Sequence, residues 1–227
     1  MTAAPEDIIA KLNEIKTSLP AQVTLVAVSK THPNEAIEAA YGEGQRVFGE
    51  NKVQELVDKA AALPKDIEWH LIGHLQTNKV KYIASFVHLI HAVDSEKLLK
   101  EINKRAAQEN RVINVLLQMH IAEESSKFGF DESEMMALLD SGRIADFENI
   151  SVAGLMGMAT FTDDENQVRK EFTSLKNTFD LLKADHFKDG AFNTLSMGMS
   201  GDYKLAIEEG STMIRVGSSI FGVREYS

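Results

Sequence analysis

A (β/α)8 barrel of the TIM type, an α/β fold with an extra N-terminal helix, is predicted on three observations. Short apolar runs alternate with amphipathic, helix-like stretches from one end of the chain to the other. At 227 residues the chain holds eight such units as a single domain, residues 1–227. No Gly/Ser-rich linker or low-complexity stretch interrupts the alternation, and the four prolines are scattered. A doubly wound open sheet is the runner-up, because alternation alone does not close a sheet.

The opening segment, residues 7–18, reads as a helix with Ile8, Ile9, Leu12 and Ile15 on one face. It is expected to plug the N-terminal end of the barrel or to pack on its side. Strands are expected at residues 23–29, 46–49, 68–72, 89–93, 114–121, 151–158, 192–195 and 212–217. Between them lie helical patterns such as residues 95–108, with Leu98, Leu99 and Ile102, where Ser95 offers an N-cap. Residues 166–184 repeat the pattern with Val168, Phe172, Leu175, Phe179 and Leu182.

Composition excludes several function classes. Hydrophobic residues at 44% and charged residues at 26% describe a folded soluble protein rather than a disordered one. Lys and Arg total 24 against 34 Asp and Glu, and the net charge of −10 argues against nucleic-acid binding. A compact anion site remains compatible with that charge, since backbone N–H groups and one Arg suffice to build it. The chain has no cysteine, which removes disulfides and thiolate chemistry. Acidic residues near the N-terminus and the lack of a long apolar run predict a cytoplasmic protein with no membrane partner.

Chemistry concentrates where strands are expected to end. Thr24-Leu25-Val26-Ala27-Val28-Ser29-Lys30 closes the first strand on a lysine, followed by Thr31-His32-Pro33. In a parallel barrel that corner lies on the ligand-binding face. A lysine desolvated there has its pKa lowered and attacks carbonyls to form a Schiff base; a solvated loop lysine is the plain alternative. Lys127, in the glycine-containing loop Ser125-Ser126-Lys127-Phe128-Gly129, is its competitor, in a more solvated setting. On the last strand, period-two alternation puts Met213, Arg215 and Gly217 on one face, so Arg215 points into the barrel. Gly217 then permits close approach of backbone to a ligand, and Ser218-Ser219 adds hydroxyls where barrels commonly bind phosphate.

Other candidates carry two readings each. Ser200, in Leu195-Ser196-Met197-Gly198-Met199-Ser200, either caps a helix over residues 202–209 or receives a phosphate oxygen. Asn51, after Phe48-Gly49-Glu50, either touches the ligand or caps the helix over residues 53–59. His70 and His74 are spaced i, i+4, yet their setting is strand and loop with no intervening glutamate, so no metal is expected from this pair. His74 is instead placed at the pocket mouth. Met156-Gly157-Met158 is read as core or pocket filler.

Taken in order, these segments form a specific constellation. It comprises Val26-Ala27-Val28-Ser29-Lys30, Phe48-Gly49-Glu50-Asn51, Trp69-His70-Leu71-Ile72-Gly73-His74-Leu75-Gln76-Thr77-Asn78-Lys79, Gly154-Leu155-Met156, the Ser196–Ser200 loop and Arg215-Val216-Gly217-Ser218-Ser219-Ile220-Phe221-Gly222. It closely resembles the pyridoxal-phosphate homeostasis protein family, whose barrel is similar to that of alanine racemase. The resemblance covers nearly the whole chain. It implies that Lys30 holds pyridoxal 5'-phosphate as a Schiff base and that Arg215 faces the pyridine nitrogen. It further implies that Ser200 and the N–H groups of Gly217 and Ser218 hold the phosphate, with Asn51 and His74 near the cofactor.

A guanidinium beside the pyridine nitrogen disfavours ring protonation and weakens the electron sink, so binding without turnover is expected. The chain's stop at Ser227, without the second domain that completes a racemase, points the same way. The resulting expectation is a cytoplasmic monomer that holds pyridoxal phosphate and related B6 vitamers and makes transient contact with apo-enzymes. An amino-acid racemase-type enzyme is the alternative, and a phosphosugar enzyme using Lys30 as an aldolase-like Schiff base is a third reading.

Overall fold

The computed structural model describes residues 2–122, 128–188 and 190–222. Among them, eight parallel strands close into a barrel in the order β1 to β8: Thr24–Val28, Val47–Glu50, Glu68–Leu71, Leu89–Val93, Ile113–Gln118, Ile150–Met156, Thr194–Ser196 and Met213–Val216. Closure is made by β1 against β8, where Thr24 pairs with Met213 and Val26 with Arg215. The open-sheet alternative is thereby set aside.

Each strand sorts its side chains between two cores. Leu25, Ala27, Phe48, Trp69 and Leu71 point outward and pack under the helices, in the larger apolar cluster. Val26, Leu89, Leu116, Met156 and Met213 point inward and fill the barrel interior. The alternation is interrupted by register shifts in the β4–β5 and β5–β6 ladders. At the second shift Gly154 lies against β7 so closely that a Cβ would sit 1.7 Å from the Thr194 carbonyl oxygen.

The helices occupy the outside: α1 (Pro5–Ser18), α2 (Asn34–Gly42), α3 (Val53–Ala62), α4 (Glu96–Gln108), α5 (Glu132–Asp140), α6 (Glu165–Asp185), α7 (Tyr203–Glu208) and the short α8 (Ser218–Phe221). The additional helix α1 buries Ile8, Leu12 and Ile15 and packs against α2 and α8, on the barrel's side rather than in its end. Ser95 caps α4 as expected, accepting the Leu98 N–H. The seventh strand begins two residues later than expected. Phe192 precedes it, and its ring stacks on Phe187 at 4.4 Å instead of entering the ladder.

Candidate functional site

The C-terminal ends of the strands open on a cavity of about 490 Å³, within the range that holds a small cofactor. Lys30, Asn51, His74, Ser200, Arg215, Gly217 and Ser218 all line it. Residues from the two ends of the sequence meet here because β1 and β8 are neighbours in the closed barrel.

Lys30 stands on a braced corner just past β1. Ser29 donates its hydroxyl to Glu50 Oε1 at 2.6 Å, and its carbonyl accepts from Lys59 Nζ at 2.8 Å. Lys59 is buried and also bridges Glu50 and Glu55, at 2.8 and 2.7 Å. On the other side of Lys30, Thr31 donates its N–H to Glu55 Oε1 at 2.6 Å. Thr31 adopts φ of 66°, a left-handed conformation unfavourable for a β-branched residue. The network therefore holds the backbone in a shape that Thr31 alone would not choose, and this aims Lys30 at the cavity. Burial pushes the Glu50 carboxyl above its ordinary value, more than Lys59 and Ser29 draw it down.

Arg215 lies buried on the adjoining strand β8, its backbone paired with Val26 of β1. Its Nη1 donates to Ser196 Oγ at 2.6 Å and its Nη2 to the Gly157 carbonyl at 3.1 Å. Desolvation lowers its pKa to about 10, with Asp202 acting in the other direction, so it is charged at neutral pH. Ser196 continues the chain: its hydroxyl meets His91 Nδ1 at 3.1 Å, and His91 Nε2 meets His70 Nδ1 at 3.0 Å. Both histidines are held neutral by burial, His70 with a pKa of about 3.

Ser200 does not cap α7, which begins at Tyr203; its Oγ accepts the Gly217 N–H at 3.2 Å. Asp202 takes the role that tightens this loop, accepting the Met199 N–H at 2.5 Å. Asn51 does not cap α3 either, since Lys52 stands at the cap position, and Asn51 faces the cavity. A Cβ on Gly217 would come within 3.1 Å of the Val28 carbonyl oxygen, so a glycine there brings backbone close to both β1 and the cavity. His74 is exposed at the mouth, with Nδ1 3.1 Å from Asp94 Oδ2 and its ring against Phe128. His70 and His74 are not brought together: one turns into the barrel, the other toward solvent. Lys127 lies outside the described residues.

Sequence reasoning missed several cavity residues. Gln118 was findable, since alternation from Leu116 places it inward at the C-terminal end of β5. Phe128, Met158 and Phe161 form an apolar rim, and Phe161 is 96% exposed. The Glu50–Lys59 bracing carried no local sequence signal, because a lysine within α3 reads as surface.

This fold and cavity define a barrel of the alanine racemase type: residues 5–225 match the family model for the alanine racemase N-terminal domain. More narrowly, the chain belongs to the family of pyridoxal phosphate homeostasis proteins. It is 41% identical over 203 residues to that protein from Aquifex aeolicus, covering 89% of this chain and 87% of the relative. To the Escherichia coli protein of the same name it is 36% identical over 212 residues, covering 92% and 88%. Among solved structures it resembles PipY of Synechococcus elongatus, solved with pyridoxal phosphate bound, at a TM-score of 0.86 and 35% identity over 95% of this chain and all (100%) of that one. Alanine racemase from Bartonella henselae shares the fold, at a TM-score of 0.74 and 17% identity, with 96% of this chain covering 59% of that one.

Proposed function

We propose that this protein binds pyridoxal 5'-phosphate covalently through Lys30 and serves to hold and hand on the cofactor within the cytoplasm, without catalytic turnover. The observation that carries the reading is the convergence on one cavity of a braced amine, a buried guanidinium and a Ser200–Gly217–Ser218 cradle. These groups fit the cofactor: an amine for its aldehyde, a cation for its ring nitrogen, and small donors for its phosphate. Bound pyridoxal phosphate supplies an electron sink for carbanion chemistry at amino acids.

This chain's residues restrain that chemistry. Arg215 is pinned by Ser196 and Gly157, so its positive charge stays in the cavity wall. With the cofactor bound, a fixed cation beside its ring nitrogen would raise the free energy of protonating that nitrogen and would leave the ring a weaker acceptor of electrons. Ser200 and the N–H groups of Gly217 and Ser218 would hold the phosphate end, the Gly217 N–H turning to it from Ser200 Oγ, and Asn51 and His74 would lie beside the cofactor. The open mouth, with exposed His74 and Phe161, leaves room for transfer to an apo-enzyme by transient contact, with the carrier itself a monomer. Among the described residues no helix is long and apolar enough to cross a membrane.

Titrating the purified chain with pyridoxal phosphate and following visible absorbance tests the binding; wild type develops a band that Lys30→Ala lacks. Incubating the loaded protein with single amino acids in deuterated water tests turnover. Absence of α-proton exchange is expected, and robust exchange with one amino acid would establish the racemase-type alternative instead.

A further inference from the structure

At the N-terminal end of the barrel, opposite the Lys30 cavity, lies a second cavity of about 370 Å³ ringed by the first or second residue of each strand. Glu68, at the start of β3, His70, two residues along it, and His88, just before β4, meet in its wall. One ligand atom from each lies within 4.8 Å of the others. His88 Nε2 and Glu68 Oε2 are 3.7 Å apart, too long for a hydrogen bond. Two ligands on a tetrahedral zinc with bonds of about 2.1 Å stand about 3.4 Å apart, close to that spacing.

His70 supplies an independent observation. Its side chain is buried, and Nε2 has no hydrogen-bond partner among the described residues. A buried imidazole nitrogen left so is costly unless something outside the protein's own groups engages it. The other ring nitrogen, Nδ1, meets His91 Nε2 at 3.0 Å. An outer partner on the far nitrogen is the arrangement that fixes the tautomer and orientation of a metal-binding histidine. With Nδ1–H donating to His91, Nε2 presents a lone pair to the cavity.

We propose that Glu68, His70 and His88 form a binding site for a divalent cation of the zinc class at the N-terminal mouth of the barrel. Two imidazoles and one carboxylate suit such an ion, and the cavity leaves a fourth position open to water. His70 is the fixed ligand. The side chains of His88 and Glu68, 46% and 47% exposed, swing in to close the 4.8 Å spread onto the ion. The His70 and His88 rings now stack at 5.5 Å with planes 7° apart, so the half-exposed His88 ring turns out of the stack to bring its in-plane lone pair onto the ion held by His70. The site is separate from the Lys30 cavity and does not depend on what that cavity binds. Through His91 and Ser196 it is nonetheless joined by hydrogen bonds to Arg215.

The test is zinc titration of the full-length, untagged chain against a chromophoric chelator, with and without pyridoxal phosphate, followed by cobalt substitution. One ion per chain and a four-coordinate cobalt spectrum are expected in both conditions. His88→Ala and Glu68→Ala alter half-exposed side chains, so each variant keeps its fold, checked by circular dichroism. Either change should weaken zinc binding by at least the ~10–100-fold that loss of an outer partner costs. His186→Ala, on the surface beside Asp140, should change nothing. Absence of saturable zinc binding, or affinity unchanged in His88→Ala, would overturn the proposal.

Discussion

Replacing Ser196 with alanine removes the hinge of the polar chain that crosses the barrel. Ser196 Oγ accepts a 2.6 Å bond from the Arg215 guanidinium and meets His91 Nδ1 at 3.1 Å, with both partners buried. A hydrogen bond to a charged group is worth about 1.5–3 kcal/mol, and each buried polar group left unpaired costs about 1–3 kcal/mol. Arg215 keeps its bond to the Gly157 carbonyl, so these quantities overlap and the net loss is set at about 3 kcal/mol. For a chain of this size that lowers Tm by roughly 6–12 °C. Thermal and urea unfolding followed by circular dichroism read the loss directly. Arg215 would also lose its fixed direction, so affinity for pyridoxal phosphate should fall in the same variant. A stability change below about 0.5 kcal/mol, typical of an ordinary surface substitution, would refute the idea that Ser196 anchors Arg215.

Three further outcomes follow from the same geometry. Thr31→Gly relieves a left-handed threonine and should raise stability by about 0.5–1 kcal/mol after glycine's own entropy is counted; it should also loosen Lys30 and slow cofactor capture, and a lower urea midpoint would contradict the strain. Ser200→Ala removes the acceptor of the Gly217 N–H and should weaken pyridoxal phosphate about tenfold, or 1.4 kcal/mol, while leaving pyridoxal unaffected; equal weakening of both would place Ser200 away from the phosphate. Glu50 has a carboxyl raised above 4.5 by burial, so the folded chain keeps a proton that the unfolded chain releases in that window. Its contribution is full below that value and falls as pH rises through the raised one. The stability of wild type relative to Glu50→Gln should therefore shrink from about pH 4 to pH 7, and the opposite slope in paired urea titrations would show that Lys59 outweighs burial.

The barrel was legible because its strands are short and apolar on both faces, flanked by helices with clear apolar stripes. Strand ends were less so. The fifth strand, expected through Ile121, stops at Gln118, and Phe192 drew the seventh too early because its ring serves the helix layer. Lys30, Arg215 and Gly217 were visible because charge and glycine stand out at the ends of apolar runs. The caps expected of Asn51 and Ser200 failed for one reason: both side chains face the cavity rather than the helix that follows. Contacts across the barrel left no trace in local pattern. His91 and Ser196 are 105 residues apart in sequence, and only closure of the sheet joins them. Lys59 was invisible for a related reason, since its role lies in the turn at Ser29 on a different element.

Lys30 is proposed as the covalent anchor of the cofactor. Borohydride reduction of the chain loaded with pyridoxal phosphate, followed by proteolysis and mass mapping, tests it most directly. One reduced pyridoxyl group per chain is expected, on the peptide containing Lys30 and absent from Lys30→Ala. A label on Lys127 or another lysine, or a chain that takes up no label, would contradict it.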